Sequence, residues 1–142
     1  MYRSLVVGTD GSDHAATAVR HAFGLARMTG GRVHIVTAWT RVPALALSSG
    51  AMGASTATLD DGAWVTKLHR DLSAQAEEYG VPVQTHAIED GAASALIDVA
   101  REIGADLLVV GNQGMTGLRG WLGSVPNSVA HKAPCAVLVV PT

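Results

Sequence analysis

Short apolar runs alternate along this chain with longer segments in which apolar residues recur every three or four positions. The first run, residues 4–7, ends at the polar turn Gly8-Thr9-Asp10-Gly11-Ser12 and reads as a strand. Over residues 13–28, Ala15, Ala18, Val19, Ala22, Phe23, Leu25 and Ala26 fall at helical spacing, which predicts a helix with one apolar face. Ser12 or Asp13 can cap that helix, and Gly30-Gly31 stops it. A second strand follows at 33–38. A second helix covers 63–79, with Trp64, Leu68, Leu72, Gln75 and Ala76 near one face, ended by Gly80 and barred from continuing by Pro82. Strand three, 83–88, alternates in a way that leaves one face more exposed. Helix three spans 92–103 and closes at Gly104; strand four is 107–110, a short helix covers 125–132, and strand five is 136–140. Residues 40–61 show no clear period, with at most a short helix near 44–47, and a loop of that length is usually functional.

Strands and helices thus alternate, and the strands are almost continuously apolar. That is the pattern of a parallel sheet covered on both faces. At 142 residues the chain makes a single α/β domain over 1–142, a doubly wound five-stranded parallel sheet with helices on both faces. With strands one and four as central neighbours, the expected order is 3-2-1-4-5. Ligands of such sheets sit at the carboxyl ends of the strands, where the order reverses. There the turn carrying Asp10 faces the loop that follows strand four.

That second loop holds the densest chemistry. In VVGNQGMTGLRGWLGSVPNSV, a buried-looking strand runs into Gly111, Gly114, Gly117, Gly120 and Gly123, and the loop ends at Ser124 with Pro126 close behind. Glycines allow close backbone approach to a ligand, and serine and proline mark a helix start near Ser124. A glycine-rich loop feeding a helix N-terminus presents free N–H groups and the positive end of a dipole, which suits a phosphate. Neither a Walker A loop nor a Rossmann G-x-G-x-x-G is present. Asp10 opposite such an anion site makes sense as a grip on ribose hydroxyls or on a divalent cation bridging phosphates. The bland alternative for Asp10 is a turn residue that hydrogen-bonds its own backbone.

Composition narrows the function classes. Ten basic and twelve acidic residues give a formal net charge of −2, so nothing favours nucleic acid or an anionic membrane as a partner. The start MYRSLVVGTDGS is neither a signal peptide nor a membrane span, and a cytoplasmic location is expected. Cys135 is the only cysteine and lies in an apolar strand, where an inert packing role is expected. The six histidines show no metal-binding spacing.

Taken together, VVGTDGS, the strand end VTAW, ADLLVVGNQG and GSVPNSVAHKAPCAVLVVP resemble the universal stress protein family, in its nucleotide-binding branch, over essentially the whole chain. Those members carry Gly-x2-Gly-x9-Gly-Ser/Thr after strand four. Here Gly111, Gly114, Gly123 and Ser124 fill the pattern, but only eight residues separate Gly114 from Gly123. The resemblance implies a stress-response regulatory protein that binds an adenine nucleotide, foremost ATP with Mg, rather than an enzyme. It implies that Gly8, Thr9 and Asp10 line the ribose side, with Asp10 on the ribose or the Mg ion, and that Ala38 meets adenine through its backbone. Gly111 and Gly114 would line ribose and phosphates, while Gly123, Ser124 and Val125 would donate to phosphate oxygens. Arg119 would reach a phosphate as a cation or remain a solvated loop charge, and Trp39 would stack near the base or, the preferred reading, pack beneath the long loop. The shortened loop suits one phosphate better than three, which makes cyclic AMP the alternative ligand; a dimeric interaction module without nucleotide is the third reading. In each case a homodimer through Ala136–Val140 is expected, because AVLVV at a sheet edge carries no charge to discourage pairing.

Overall fold

The computed structural model describes residues 1–40, 62–113 and 123–142. Its elements are β1 (Ser4–Gly8), α1 (Asp13–Thr29), β2 (Arg32–Trp39), α2 (Ala63–Tyr79), β3 (Val83–Glu89), α3 (Ala92–Ile103), β4 (Leu107–Gly111), α4 (Ser124–Lys132) and β5 (Ala136–Val140). The expected elements therefore all form. Several run one residue further than the apolar pattern suggested, because ladder and helix hydrogen bonds continue past the last apolar side chain. The sheet order is β3-β2-β1-β4-β5, with every pairing parallel.

Side chains alternate across the sheet, so each central strand feeds two cores. Leu5, Val7, Val33, Ile35, Leu107 and Val109 face α1 and α2, where Phe23 and Ala76 are buried with them. Val6, Val36, Leu108 and Val110 face α3 and α4, against Leu96, Val99 and Val129. Helices α1, α2 and α3 end on left-handed glycines, Gly30, Gly80 and Gly104, whose N–H groups return to carbonyls of the last turn. Residues 40–61 were read as a long loop; positions 41–61, with the short helix expected there, lie outside the described residues.

Buried histidines interrupt this apolar packing. His34 on β2 and His86 on the edge strand β3 share a hydrogen bond, Nδ1 to Nε2, at 3.0 Å, and their rings stack at 5.3 Å between centroids. On the other face His69 of α2 meets the buried Thr37 hydroxyl at 2.9 Å. Burial lowers the pKa of His34 below 6.5, reinforced by His86 and Arg32. Burial likewise lowers His69, with a further push from His86. It lowers His86 as well, against an opposing pull from Glu102. Below pH 6.5 the unfolded chain thus binds more protons at these rings than the folded one, and stability falls as pH drops through the depressed values. The melting temperature is expected to be lower at pH 5 than at pH 7.5. His34→Gln should shrink that difference, and an equal pH dependence in the variant would rule out the histidine pair as its source.

Candidate functional site

β1 and β4 lie side by side at the sheet centre, and the chain leaves them in opposite directions: from β1 to α1 on one face, from β4 to α4 on the other. Their carboxyl ends therefore open a crevice at the point where strand order reverses. One wall is the turn after β1. The N–H of Thr9 donates to the Val36 carbonyl at 3.0 Å, which anchors the turn to β2. Thr9 Oγ1 accepts from the N–H of Gly11 at 3.1 Å, and Asp10 Oδ1 accepts from the N–H of Ser12 at 2.9 Å. Ser12 then caps α1, its Oγ accepting from the N–H of Ala15 at 3.2 Å. Asp10 is thus a turn residue through one oxygen and a crevice residue besides. Gly8 has a packing reason as well. A side chain there would put its Cβ 3.0 Å from two methyl carbons of Leu96.

The opposite wall joins the end of β4 to the start of α4. Gly123 caps α4 with extended backbone (φ −58°, ψ 162°) and offers no side-chain acceptor. The first-turn N–H groups of Ser124 and Val125 therefore have no acceptor within the helix, and Pro126 has no N–H to satisfy. The positive end of the α4 dipole lines the same crevice as Asp10.

Between these walls lies a cavity of about 260 Å³. Gly8, Thr9, Asp10, Ala38, Gly111, Gly123, Ser124 and Val125, all singled out in the sequence, line it together. Gly114 and Arg119 lie outside the described residues. The floor is apolar, built from Val36, Leu96 and Val110, none of which the sequence marks as a site residue. Gln113 lines the cavity as well. Among the described lining residues Asp10 is the only charged one. Trp39 packs over Gly62, where an added Cβ would meet the indole at 2.8 Å; the loop it was expected to pack beneath lies outside the described residues.

One apolar slot with hydroxyls, a carboxylate and backbone N–H groups at its ends can hold a flat ring, a polyol and an anion in sequence. Among the described residues no group of three His, Cys, Asp or Glu side chains could enclose a metal. A cation here would need oxygens from a ligand besides Asp10, as Mg commonly does. No helix of the described residues is long and apolar enough to cross a membrane.

A family model described as the universal stress protein family matches residues 1–141. The universal stress protein MJ0531 of Methanocaldococcus jannaschii is 33% identical over 151 residues, spanning 99% of this chain and 82% of its own. The universal stress protein Rv1636 of Mycobacterium tuberculosis is 33% identical over 145 residues, spanning 99% and 97%. A crystal structure of a universal stress protein in complex with cAMP superposes with a TM-score of 0.74 at 32% identity, covering 98% of this chain and 96% of that one.

Proposed function

The chain belongs to the universal stress protein family, and from that premise we propose that its crevice is the adenine-nucleotide site of a regulatory binding protein. The observation that carries this reading is the opposition of Asp10 and the uncapped α4 terminus across one apolar slot. The base lies toward Ala38, the ribose against Gly8, Thr9, Asp10 and Gly111, and the phosphate on the N–H groups of Ser124 and Val125; the N–H of Gly123, expected to donate as well, is taken by the Asn112 carbonyl at 3.2 Å, so Gly123 lines the phosphate end without donating. Gly114 and Arg119 join the phosphate side by their place in the motif. The related structure that holds cAMP supports adenine as the base.

ATP with Mg is the first occupant. Asp10 Oδ1 holds the turn, which would leave Oδ2 to hold a cation, and Mg bound there would supply positive charge to offset the phosphates. Cyclic AMP is the second, favoured by the eight-residue spacing between Gly114 and Gly123 and by the ligand of the related structure. Asp10→Asn separates them, because it keeps the turn acceptor and removes the charge. For a Mg-dependent site, ATP affinity should fall about tenfold or more, the loss of a charged interaction of roughly 1.5 kcal/mol or above. For cyclic AMP it should stay within a factor of about two. Equal ATP affinity with and without Mg in the wild type would remove the metal from the account.

The protein acts by binding. The Thr9 hydroxyl oxygen is engaged as an acceptor from the Gly11 N–H at 3.1 Å, a turn-holding role. The working unit is a dimer built on β5, where Val137, Leu138 and Val139 are half-buried along the open edge. The other edge, β3, exposes Gln84, Thr85 and Glu89, polar groups that discourage pairing. Val137→Lys should give monomers in sedimentation with the circular dichroism of the wild type. A variant that sediments as the wild type does would place the contact elsewhere.

A further inference from the structure

We propose that Asn112 and Thr142 form a clamp that positions the phosphate-binding end of the crevice, an inference that rests on the adenine-nucleotide reading of that site. Asn112 follows β4 directly and does not line the cavity, although its neighbours Gly111 and Gln113 do. Four hydrogen bonds converge on it. Its N–H donates to the Val140 carbonyl at 3.0 Å, and its own carbonyl accepts from the N–H of Gly123 at 3.2 Å. Its side-chain Oδ1 accepts twice from Thr142, from the backbone N–H at 3.0 Å and from Oγ1 at 2.9 Å.

The bond from Gly123 matters most. Among the described residues it is the one backbone hydrogen bond that ties the start of α4 to the sheet. The segment joining Gln113 to Gly123 thus begins and ends beside a single peptide. The direction of the Ser124 and Val125 N–H groups relative to β4 depends on how the Asn112 peptide is oriented. Thr142 fixes that orientation from outside the site, with two donors on one amide oxygen. Its Cγ2 also lies where it would crowd a Cβ on Gly111 at 3.3 Å, so the same residue packs against the strand end that lines the cavity. A phosphate bound by preset N–H groups needs them held within a fraction of an ångström, since misdirected donors weaken steeply with angle. Asn112 and Thr142 are positioning residues in this sense, and neither touches the ligand.

Thr142→Val tests this, because it keeps the shape and the backbone donor while removing the hydroxyl. Thr142→Ser restores the hydroxyl, and Asn112→Ala removes both side-chain bonds. Two readouts are needed: calorimetric affinity for ATP and cyclic AMP, and amide hydrogen exchange at Gly123 without ligand. In Thr142→Val the affinity should fall about three- to tenfold, the range of one neutral hydrogen bond, and Gly123 should exchange several times faster. Asn112→Ala should do more on both counts, and Thr142→Ser should match the wild type. The melting temperature of ligand-free Thr142→Val should stay within a few degrees of the wild type, which separates positioning from general loss of stability. Wild-type affinity or wild-type Gly123 exchange in Thr142→Val would overturn the clamp. If the wild type takes neither nucleotide, the site reading falls, and Gly123 exchange alone decides whether Thr142 holds the loop neck.

Discussion

Replacing Gly123 by valine together with Ser124 by alanine is expected to abolish adenine-nucleotide binding while leaving the protein folded. The backbone at Gly123 is extended (φ −58°, ψ 162°), a conformation open to any residue. A Cβ there would meet Asn112 O and Pro126 Cδ at 3.5 Å, ordinary contact distances. The fold therefore tolerates valine, at a cost of about 1 kcal/mol for a poorer helix cap. The crevice does not, because the added methyl groups stand at the helix terminus where a phosphate would sit, and the serine hydroxyl is lost as a donor. Two charge-assisted hydrogen bonds at roughly 1.5 kcal/mol each correspond to an affinity loss of about a hundredfold or more. Calorimetry on a variant with native circular dichroism checks this. Unchanged affinity would mean that the phosphates lie elsewhere.

Phe23→Ala should have the opposite profile, a large loss of stability with little change in affinity. Phe23 is fully buried and leans against Tyr79, ring centroids 5.5 Å apart and planes tilted by 54°. It belongs to the core beneath α1 and α2, whereas the crevice floor, Val36, Leu96 and Val110, belongs to the core on the other face. Truncating a buried phenylalanine costs about 3–5 kcal/mol, a large share of the roughly 5–15 kcal/mol that holds a domain of this kind. The melting temperature should drop by about 10 °C or more. Denaturant titration measures the loss directly; a change below about 1 kcal/mol would show that the site collapses without leaving a cavity. Below the transition, nucleotide affinity should stay within a factor of about two.

The strands were legible because a parallel sheet covered on both faces forces unbroken apolar runs, such as LLVV at 107–110. The helices were legible from their period and from Gly30, Gly80 and Gly104, whose left-handed caps stop them where expected. The two crevice walls were legible for a similar reason, since each is a local feature: Thr9 and Asp10 in one turn, Gly111 and Gly123-Ser124 flanking one loop. The floor was not. Val36, Leu96 and Val110 carry the same signal as any core residue, and only the switch in chain direction between β1 and β4 leaves them facing a cavity. Asn112 with Thr142, and His34 with His86, escaped for another reason. Each pair is 30 or more residues apart in the chain, and polar partners at that distance leave no periodic trace. At Asp10 a turn hydrogen bond and a place in the cavity lining coexist. One oxygen holds the turn that presents the other.

Occupancy of the crevice between β1 and β4 by an adenine nucleotide can be measured directly. The direct test denatures freshly purified protein, identifies any released nucleotide by chromatography, and titrates the stripped, refolded protein with ATP and with cyclic AMP in the presence of Mg. An adenine nucleotide is expected in the released fraction, or saturable binding of at least one of the two at one site per chain. A folded sample that releases no nucleotide and gives no heat with either would contradict that occupancy.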